Sequence, residues 1–232
     1  MPVDPPPARG YIRSRGMRVP RAVGITTGRI RAALRAETFE RKECEAVLRV
    51  VNEGDRVLEL GGGIGYVSTL MAVARKVTQL VTYEANPALI PHIRRMHEAN
   101  GAEHIDLRNA LLTPLPSDPV PFYVRRNILS SSLDGSVNPD GVLQTVDVDC
   151  HAVEAVLEEV KPDVLICDIE GGEADLLPAA DWSCLRVAVI ELHPQWIGQP
   201  GVQAVFDAMQ RAGLTYFPRA SEGKVVTFRK PW

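Results

Sequence analysis

One glycine-rich stretch, Arg56–Thr69 (RVLELGGGIGYVST), limits what this chain can fold into more than any other stretch does. Apolar residues lead into four glycines within five positions, and helix-compatible sequence resumes at Tyr66. This pattern predicts a buried parallel strand, a tight turn and the first turn of a helix. Glycine is used where the backbone needs a positive φ or where a side chain would keep a ligand away. The stretch therefore predicts an α/β fold with a nucleotide-binding turn.

The spacing of these glycines separates two kinds of nucleotide. The dinucleotide pattern G-x-G-x-x-G/A fits poorly, because its third position is Tyr66 or Ser68, depending on which glycine starts the motif. The spacing that fits is acid-x-Gly-x-Gly-x-Gly, at Glu59, Gly61, Gly63 and Gly65. This resembles the first motif of class I S-adenosylmethionine (SAM) methyltransferases. The resemblance implies that the strand-end acid lies near the amino-acid part of the cofactor.

A second acid follows further along the chain. Leu80–Glu84 is predicted to be a strand that ends in an acid, about 20 residues beyond the glycine turn, where it is placed to accept hydrogen bonds from a ribose diol. That feature alone does not separate SAM from NAD, but together with the poor dinucleotide spacing it favours SAM. An NAD-dependent oxidoreductase and a non-catalytic binding module on the same fold stay open as alternatives.

Composition limits the partners. The chain has 232 residues, enough for one domain with an extension, and 45% hydrophobic content is ordinary for a globular protein. A net charge of −3 gives no electrostatic footprint for nucleic acid, and no stretch approaches the ~18 apolar residues of a membrane span. Four widely spaced cysteines form no C-x-x-C pair, and the start lacks the apolar block of a signal peptide. We therefore expect a cytoplasmic protein with no nucleic-acid or membrane partner.

The N-terminal residues 1–36 have a different composition from the rest. They hold a triple proline and several arginines and glycines, which argues against a packed core of their own. They are predicted to be a solvated, loosely ordered arm that folds onto the domain, covers the site or docks a second copy of the chain. Within this region a helical pattern begins at Arg29 and continues to Val51. The methyltransferase-like domain is predicted to span 37–232.

Strands and helices alternate after Gly54, which is typical of a doubly wound, mostly parallel sheet. Strands are predicted at Val57–Leu60, Leu80–Glu84, His104–Arg108, Asp163–Cys167, Val187–Leu192, Leu214–Phe217 and Val225–Phe228. Helices are predicted at Ile64–Ala74, Pro87–Ala99, His151–Val160, Ala174–Ala179 and Val202–Ala212. Residues 111–150 break the alternation and predict a hairpin inserted between the third and fourth strands, with its own strands at Phe122–Asn127 and Val142–Val148. This hairpin is either a substrate region or only an extension of the sheet.

Four segments together carry a closer resemblance: RVLELGGGIGYVS, VTYEANP, DVLICDIEGGEADLL and VAVIELHP. Over about residues 37–195 the chain resembles the FkbM-type SAM-dependent methyltransferases. That resemblance implies a Rossmann-like class I methyltransferase fold with a seven-stranded sheet in the order 3-2-1-4-5-7-6. It also implies methylation of a hydroxyl, less often an amine, on a small molecule or sugar. The chain departs from the family at Gly62-Gly63, where an Ala-Asn pair is commoner, and at Asp147–Cys150.

Ligands of open α/β sheets bind outside the carboxyl ends of the strands, so the candidate cofactor residues are taken from those ends. They are Glu59, Gly61, Gly62, Gly63, Gly65, Tyr66, Glu84, Ala85, Asn86, Asn109, Ala110 and Asp168. Asn109-Ala110 is placed to touch the adenine, with a plain turn as the alternative. Tyr66 either leans on the cofactor or packs beneath the loop.

The candidate catalytic residues are Asp168, Glu170 and His193. Methyl transfer to a hydroxyl or ammonium needs alignment and removal of a proton, and histidine has a suitable pKa for a base near neutrality. Asp168 is predicted beside the methyl group, and Glu170 is predicted to orient the acceptor. Two alternatives stay open: a structural, hydrogen-bonded His193, and a helix-capping role for the acids, which we prefer for Glu173.

A divalent cation is a further candidate ligand at this edge of the sheet. Hard oxygen ligands suit magnesium or calcium, and the acids in question, with one histidine, are Asp147, Asp149, Asp168, Glu170 and His193. Their spacing does not fix a coordination geometry, so no metal is predicted.

Overall fold

The computed structural model describes residues 10–125, 133 and 139–231. The helices in this part of the chain are α1 Gly28–Arg35, α2 Arg41–Val50, α3 Tyr66–Arg75, α4 Ile90–Ala99, α5 Val153–Val160, α6 Glu173–Leu176 and α7 Pro194–Arg211. The strands are β1 Tyr11–Ser14, β2 Met17–Pro20, β3 Arg56–Leu60, β4 Gln79–Tyr83, β5 Asp106–Arg108, β6 Leu111–Thr113, β7 Val120–Arg125, β8 Val142–Val148, β9 Cys150–Ala152, β10 Val164–Cys167, β11 Val187–Glu191, β12 Thr215–Tyr216 and β13 Val225–Arg229.

A seven-stranded mixed sheet forms the centre of the molecule, in the spatial order β12-β13-β11-β10-β3-β4-β5. Numbered along the chain within this sheet, the order is 3-2-1-4-5-7-6 when counted from the β5 edge. The first five strands along the chain are parallel, and β13 runs antiparallel to both of its neighbours. Two apolar clusters cover the two faces of this α/β sheet.

The register of the central strands decides where the polar residues meet. All four residues of β10 are buried, as expected for a strand covered on both faces. Its last residue, Cys167, pairs with Leu60 of β3 and with Ile190 of β11. The residues that follow these three positions therefore leave the sheet at the same edge, next to one another. This edge carries the glycine turn after β3 and the polar segment after β10.

The N-terminal region packs onto the domain, which is one of the three predicted arrangements, but its described part contains an ordered hairpin instead of a loosely ordered arm. Ile12, Met17 and Val19 on the β1–β2 hairpin are buried and join the core cluster that includes α2, α3 and α4. Arg15 and Gly16, which connect the two strands, both have a positive φ, as a two-residue hairpin turn requires. Three apolar side chains at alternating positions thus outweigh the surrounding arginines. Residues 1–9 lie outside the described residues.

Two predicted helical segments differ from the observed helices by more than a shift of a few residues at one end. The pattern from Arg29 to Val51 is two helices, α1 and α2, separated by a break in which Glu37 and Glu40 have left-handed backbone conformations. The last helix begins at Pro194 instead of Val202, and the helix is interrupted at Gly198, whose φ of 62° and ψ of −175° are not helical. The earlier start places His193 directly at the N-terminus of α7.

The region between β5 and β10 holds two small pairs of strands. An antiparallel pair, β7 with β8, corresponds to the predicted strands from Phe122 and from Val142, while β6 and β9 form a parallel pair that was not predicted. His151 lies in β9, so α5 begins at Val153 instead of at His151. The end of the predicted strand Phe122–Asn127 and most of the loop after it lie outside the described residues. Within the described part of the chain, no helix combines the length and the apolar character needed to cross a membrane.

Candidate active site

The glycine turn after β3 lies against the backbone of the neighbouring strand end. Gly61 has a φ of +88°, and a Cβ built there would lie 1.8 Å from the carbonyl oxygen of Asp168. Gly65 has a φ of +75°, forms the N-cap of α3, and would place a Cβ 2.9 Å from Ile93 Cγ2. A Cβ on Gly62 would lie 2.8 Å from a methyl group of Thr82. Glycine is therefore required by both conformation and space, and the turn brings bare backbone to the edge of the sheet.

Glu84, at the end of β4, holds this turn in place. Its two carboxylate oxygens accept hydrogen bonds from the backbone N–H of Gly63 at 2.8 Å and of Asn86 at 2.7 Å. Burial raises the pKa of the Glu84 carboxyl to about 7, although both N–H donors lower it. Each carboxylate oxygen keeps a further lone pair, so the group can still accept hydrogen bonds from a diol.

The other predicted residues of this side lie around Glu84. The Asn109 amide donates hydrogen bonds to the backbone carbonyls of Glu84 at 2.8 Å and Ala85 at 3.0 Å, so it fixes the end of β4. Ala110 and Asn86 are buried, and the Asn86 side chain accepts a hydrogen bond from the N–H of Ala88. The structure thus brings the residues predicted after β4 and β5 together at one corner of the site.

Two residues that were predicted to contact the cofactor lie beneath the turn. Glu59 is 2% exposed and accepts a hydrogen bond of 2.8 Å from the Thr82 hydroxyl. Burial raises the pKa of Glu59 to about 8, although this hydrogen bond acts in the opposite direction. Tyr66 is fully buried, and its hydroxyl lies 2.6 Å from the Ser14 hydroxyl. Glu59 is thus buried against Thr82, and its contact with the cofactor stays a prediction. Tyr66 packs beneath the loop, the second of its two predicted positions.

The predicted catalytic residues come together beyond β10 and β11. His193 Nε2 lies 3.5 Å from Asp168 Oδ1 and 3.6 Å from Glu170 Oε2. The His193 side chain is only 4% exposed. Asp168 Oδ1 is buried and has no hydrogen-bond partner among the described residues. Asp168, Glu170 and His193 therefore form one cluster at the carboxyl ends of β10 and β11, next to the glycine turn.

Glu173 holds His193 from behind, a role that differs from the predicted capping role. Its fully buried carboxylate accepts the backbone N–H of His193 at 2.8 Å, and the same oxygen lies 3.3 Å from the ring Nδ1. The second oxygen accepts the backbone N–H of Gly171 at 2.8 Å. One carboxylate thus fixes the loop after β10 and the backbone of His193, and it lies at ion-pair distance from the imidazole, whose Nδ1 has no hydrogen-bond partner among the described residues.

Burial and neighbouring charges set the protonation of this cluster. Burial raises the pKa of Asp168 to about 8, and the charge of Glu191 acts in the same direction. Burial lowers the pKa of His193, but Glu173, Asp168 and Glu170 more than offset that effect, and the net direction is upward. Perturbed titratable groups of this kind, gathered at one cleft, are typical of functional sites.

Glu40 is the residue of this site that the sequence analysis missed. It precedes α2 in a left-handed backbone conformation, with a φ of 44°, and its Oε1 lies 3.7 Å from the position of a Cβ built on Gly63. Burial raises its pKa well above the ordinary value, and the charge of Asp168 adds to the shift. The pair Phe39-Glu40 was visible in the sequence, but nothing there showed that the side chain reaches the glycine turn.

The structure separates the five residues that were weighed as cation ligands. One ligand atom each from Asp168, Glu170 and His193 lies within 4.8 Å of the others. Asp147 and Asp149 are exposed and belong to the segment around β8, and neither is part of this group.

Comparison with known proteins identifies the family. Residues 60–216, about two thirds of the chain, match the methyltransferase FkbM domain. The chain belongs to the FkbM methyltransferase family. It is therefore a SAM-dependent methyltransferase, and membership of this family decides the open choice against an NAD-dependent oxidoreductase and a non-catalytic module.

Solved structures show the same fold at low sequence identity. Trm5b from Pyrococcus abyssi is 14% identical, with a TM-score of 0.52 over 94% of this chain and 55% of that chain. A Pyrococcus horikoshii protein named as a candidate transferase is 11% identical, with a TM-score of 0.51 over 93% of this chain and 69% of that chain. No curated protein matches the chain. These likenesses show that the architecture is that of an α/β methyltransferase.

The residues present fit the SAM that the family uses. The glycine turn offers bare backbone where any Cβ would clash, and Glu84 retains acceptor capacity at the end of β4. SAM carries a sulfonium and an ammonium, and the carboxyl groups of Glu40 and Asp168 lie close enough to influence each other beside the turn. A concentration of acids favours a cationic ligand, because its charge relieves the repulsion between them.

Proposed function

We propose that this FkbM methyltransferase methylates a hydroxyl group of a small molecule such as a sugar, with Asp168, Glu170 and His193 at the reacting oxygen. When bound, SAM supplies the electrophilic methyl group. One observation carries the proposal: a nearly buried imidazole, fixed from behind by Glu173, turns its free nitrogen towards two carboxylates at the carboxyl ends of the central strands.

Glu173 determines which ring nitrogen of His193 is available. A hydrogen on Nδ1 is favoured by the Glu173 oxygen 3.3 Å away, so in the neutral ring Nε2 carries the lone pair. Nε2 faces Asp168 and Glu170, the side on which we place the acceptor. An acceptor hydroxyl that enters between these groups can give its proton to Nε2, and Asp168 stabilises the resulting imidazolium. General-base assistance of this kind contributes roughly 10²–10⁴-fold to a rate.

The charge of the site supports an uncharged acceptor. Glu40, Glu43, Asp168 and Glu191 interact with one another around the end of β10, which disfavours a polyanionic acceptor such as a nucleic acid. A neutral hydroxyl compound suffers no such repulsion. A primary amine is the second kind of acceptor that these charges admit.

The inserted strands pack against the corner of the site that holds Glu84. Phe122 and Val124 of β7 pack with Val148 of β8, and Ala85, at the end of β4, packs against the same cluster. The β7–β8 pair is thereby attached to the corner that holds Glu84. We infer that this pair contributes to acceptor choice, as loops and insertions on a rigid scaffold commonly do.

Transfer of labelled methyl groups from SAM to defined acceptors tests the proposal. The panel contains monosaccharides, small alcohols, their amino analogues and an RNA. We expect label on hydroxyl compounds and a loss of rate for Asp168→Asn, with S-adenosylhomocysteine binding retained. Label that appears only on the amines or the RNA would contradict the assignment, and so would an active Asp168→Asn variant.

A further inference from the structure

We propose that Asp168, Glu170 and His193 form a binding site for a divalent transition-metal cation. The site lies at the carboxyl ends of β10 and β11, where the proposed function places the acceptor. Its role in catalysis rests on the proposed function, but cation binding itself does not. The proposal revises the sequence-based expectation that the chain holds no metal.

The distances within the cluster fit a shared ion better than direct hydrogen bonds. Nε2 of His193 lies 3.5 Å from Asp168 Oδ1 and 3.6 Å from Glu170 Oε2, whereas a charge-assisted N–H···O bond is about 2.7–2.9 Å long. Two ligand atoms that each lie about 2.1 Å from an ion, at a tetrahedral angle, are about 3.4 Å apart. Each carboxylate thus lies at a suitable distance from Nε2 to share an ion with it, and all three ligand atoms lie within 4.8 Å of one another.

The burial of His193 is the second observation that points to a ligand. Its side chain is 96% removed from solvent, its Nε2 points at the two carboxylates, and Asp168 Oδ1 is a buried acceptor without a hydrogen-bond partner in the described chain. Buried polar atoms rarely lack a partner, and such an atom calls for an explanation, of which an ion is one. A cation between Nε2 and Oδ1 would satisfy both atoms.

Glu173 completes the arrangement that metal-binding histidines show. A histidine that binds a metal through one nitrogen commonly directs the other nitrogen to a carboxylate or carbonyl, which fixes the ring. Here Nδ1 lies 3.3 Å from Glu173 Oε1, and Glu173 is itself held by the backbone N–H groups of Gly171 and His193. Nδ1 has no hydrogen-bond partner among the described residues, so its contact with Glu173 is electrostatic, and it leaves Nε2 on the side of the two carboxylates.

The kinds of ligand select the class of cation. One imidazole nitrogen and two carboxylate oxygens suit Mn²⁺, Co²⁺ or Zn²⁺ better than Mg²⁺ or Ca²⁺, which prefer oxygen-only ligands. Three protein ligands leave positions open for water or for oxygen atoms of the acceptor. A bound cation would occupy the Nε2 lone pair, so it would take over the role that the proposed function gives to the free imidazole: it would bind the acceptor oxygen directly and lower the pKa of the acceptor hydroxyl.

Titration with Mn²⁺ tests the site without any need to know the acceptor. Tag-free protein is stripped with a chelator and desalted, and the free Mn²⁺ is followed by electron paramagnetic resonance. The informative variant is Glu170→Gln, because the Glu170 side chain is 41% exposed, so we expect the substitution to leave the fold intact. The matched control is Glu158→Gln, an exposed acid on α5. His193→Gln is a second variant, checked by circular dichroism.

We expect one Mn²⁺ per chain in the wild type and in Glu158→Gln, with an affinity at least about tenfold lower in Glu170→Gln. Mg²⁺ added at the same concentration as Mn²⁺ should not displace the bound Mn²⁺. The absence of saturable binding in the wild type, or equal affinities in the wild type and Glu170→Gln, would overturn the proposal. S-adenosylhomocysteine is titrated into the same stripped sample: binding there without Mn²⁺ binding rejects the cation site alone, whereas failure of S-adenosylhomocysteine to bind rejects the proposed function.

Discussion

Two neighbouring regions at the same edge of the sheet use their acids in opposite ways. Around the glycine turn, Glu84 accepts two backbone N–H bonds and Glu59 accepts the Thr82 hydroxyl, so the polar groups of this region satisfy one another. Beyond β10 and β11, Asp168 has a buried oxygen that accepts no hydrogen bond from any described residue, and Glu170 has a left-handed backbone conformation. The polar groups of the first region are satisfied within the protein, whereas the second region contains polar groups that still lack a hydrogen-bond partner or ligand among the described residues.

The contrast between Glu59 and Asp168 shows that a shifted pKa alone does not identify a catalytic residue. Burial raises both pKa values to about 8. Glu59 is enclosed by its own protein, while Asp168 faces His193 and Glu170 at distances that admit a ligand atom. The space left for a ligand atom beside Asp168, and not the size of the pKa shift, distinguishes the proposed catalytic residue from the structural one.

The largest effect is expected where the two regions touch, at Gly61. A Cβ on this residue would meet the Asp168 carbonyl oxygen at 1.8 Å, so Gly61→Ala must separate β3 from β10 or distort the turn. We expect it to lose more than about 3 kcal/mol of unfolding free energy or to fail to fold, because backbone cannot yield cheaply. Urea denaturation measures this loss.

Gly101→Ala is the matched control for that substitution. Gly101 also has a positive φ, +69°, but a Cβ there would meet no atom within 4 Å. The control should lose only the roughly 1–2 kcal/mol that a left-handed alanine costs. Equal losses in the two variants would show that the contact between the turn and β10 is not tight.

The next largest effect is expected on the rate of methyl transfer, at Asp168 and His193. Asp168→Asn and His193→Gln should lower the rate of methyl transfer roughly 10²–10⁴-fold, because each removes a group that handles the acceptor proton. Single-turnover kinetics, with the affinity for S-adenosylhomocysteine measured in parallel, separates chemistry from binding. A rate within twofold of wild type in both variants would place the chemistry elsewhere.

A smaller effect is expected in the first region, at Glu84. Glu84→Gln keeps the shape but removes the charge that accepts the N–H groups of Gly63 and Asn86. We expect the affinity for S-adenosylhomocysteine to fall about tenfold, the equivalent of about 1.4 kcal/mol, with little change in the rate at saturation. Thermal-shift titration gives the affinity. A lower rate at saturation with unchanged affinity would contradict this prediction, because it would assign Glu84 to the chemical step instead of to cofactor binding.

The smallest effect is a change in pH dependence at Glu59. The pKa of this residue is about 8 in the folded state, above its ordinary value, so the folded state binds the proton more tightly than the unfolded state. The resulting stability is complete below the unfolded pKa and is lost as pH rises through the folded pKa. Unfolding free energy should therefore fall from about pH 4.5 to about pH 8 in the wild type, and fall less in Glu59→Gln, by on the order of 1 kcal/mol. Glu158→Gln serves as the control, and an equal slope in all three proteins would refute the effect.

The sequence was sufficient for the parts that depend on local pattern. The buried strands β3, β4, β10 and β11 are short apolar runs that end in glycine or acid, and their ends were predicted to within one residue. Because parallel strands place their carboxyl ends at one edge, Asp168 and His193 were also expected to be neighbours. The strand at β5 and the helices were less accurate at their starts, where capping and packing decide the boundary.

The parts that failed depend on contacts between distant residues. No local pattern shows that Glu173 holds His193, or that Glu40 reaches Gly63 from the segment before α2. The β1–β2 hairpin was missed because arginines and glycines dominate the composition of the region, while its packing is decided by a few buried positions, among them Ile12, Met17 and Val19. Composition reports an average, and packing depends on individual positions.

Calorimetric titration of the chain with S-adenosylhomocysteine, with NAD⁺ as the reference ligand, is the most direct test of the central claim that the glycine turn beside Glu84 holds the cofactor. The account predicts saturable binding of one S-adenosylhomocysteine per chain, weakened in Glu84→Gln, and no heat of binding for NAD⁺. Folded wild-type protein that binds NAD⁺ and gives no heat with S-adenosylhomocysteine would contradict it.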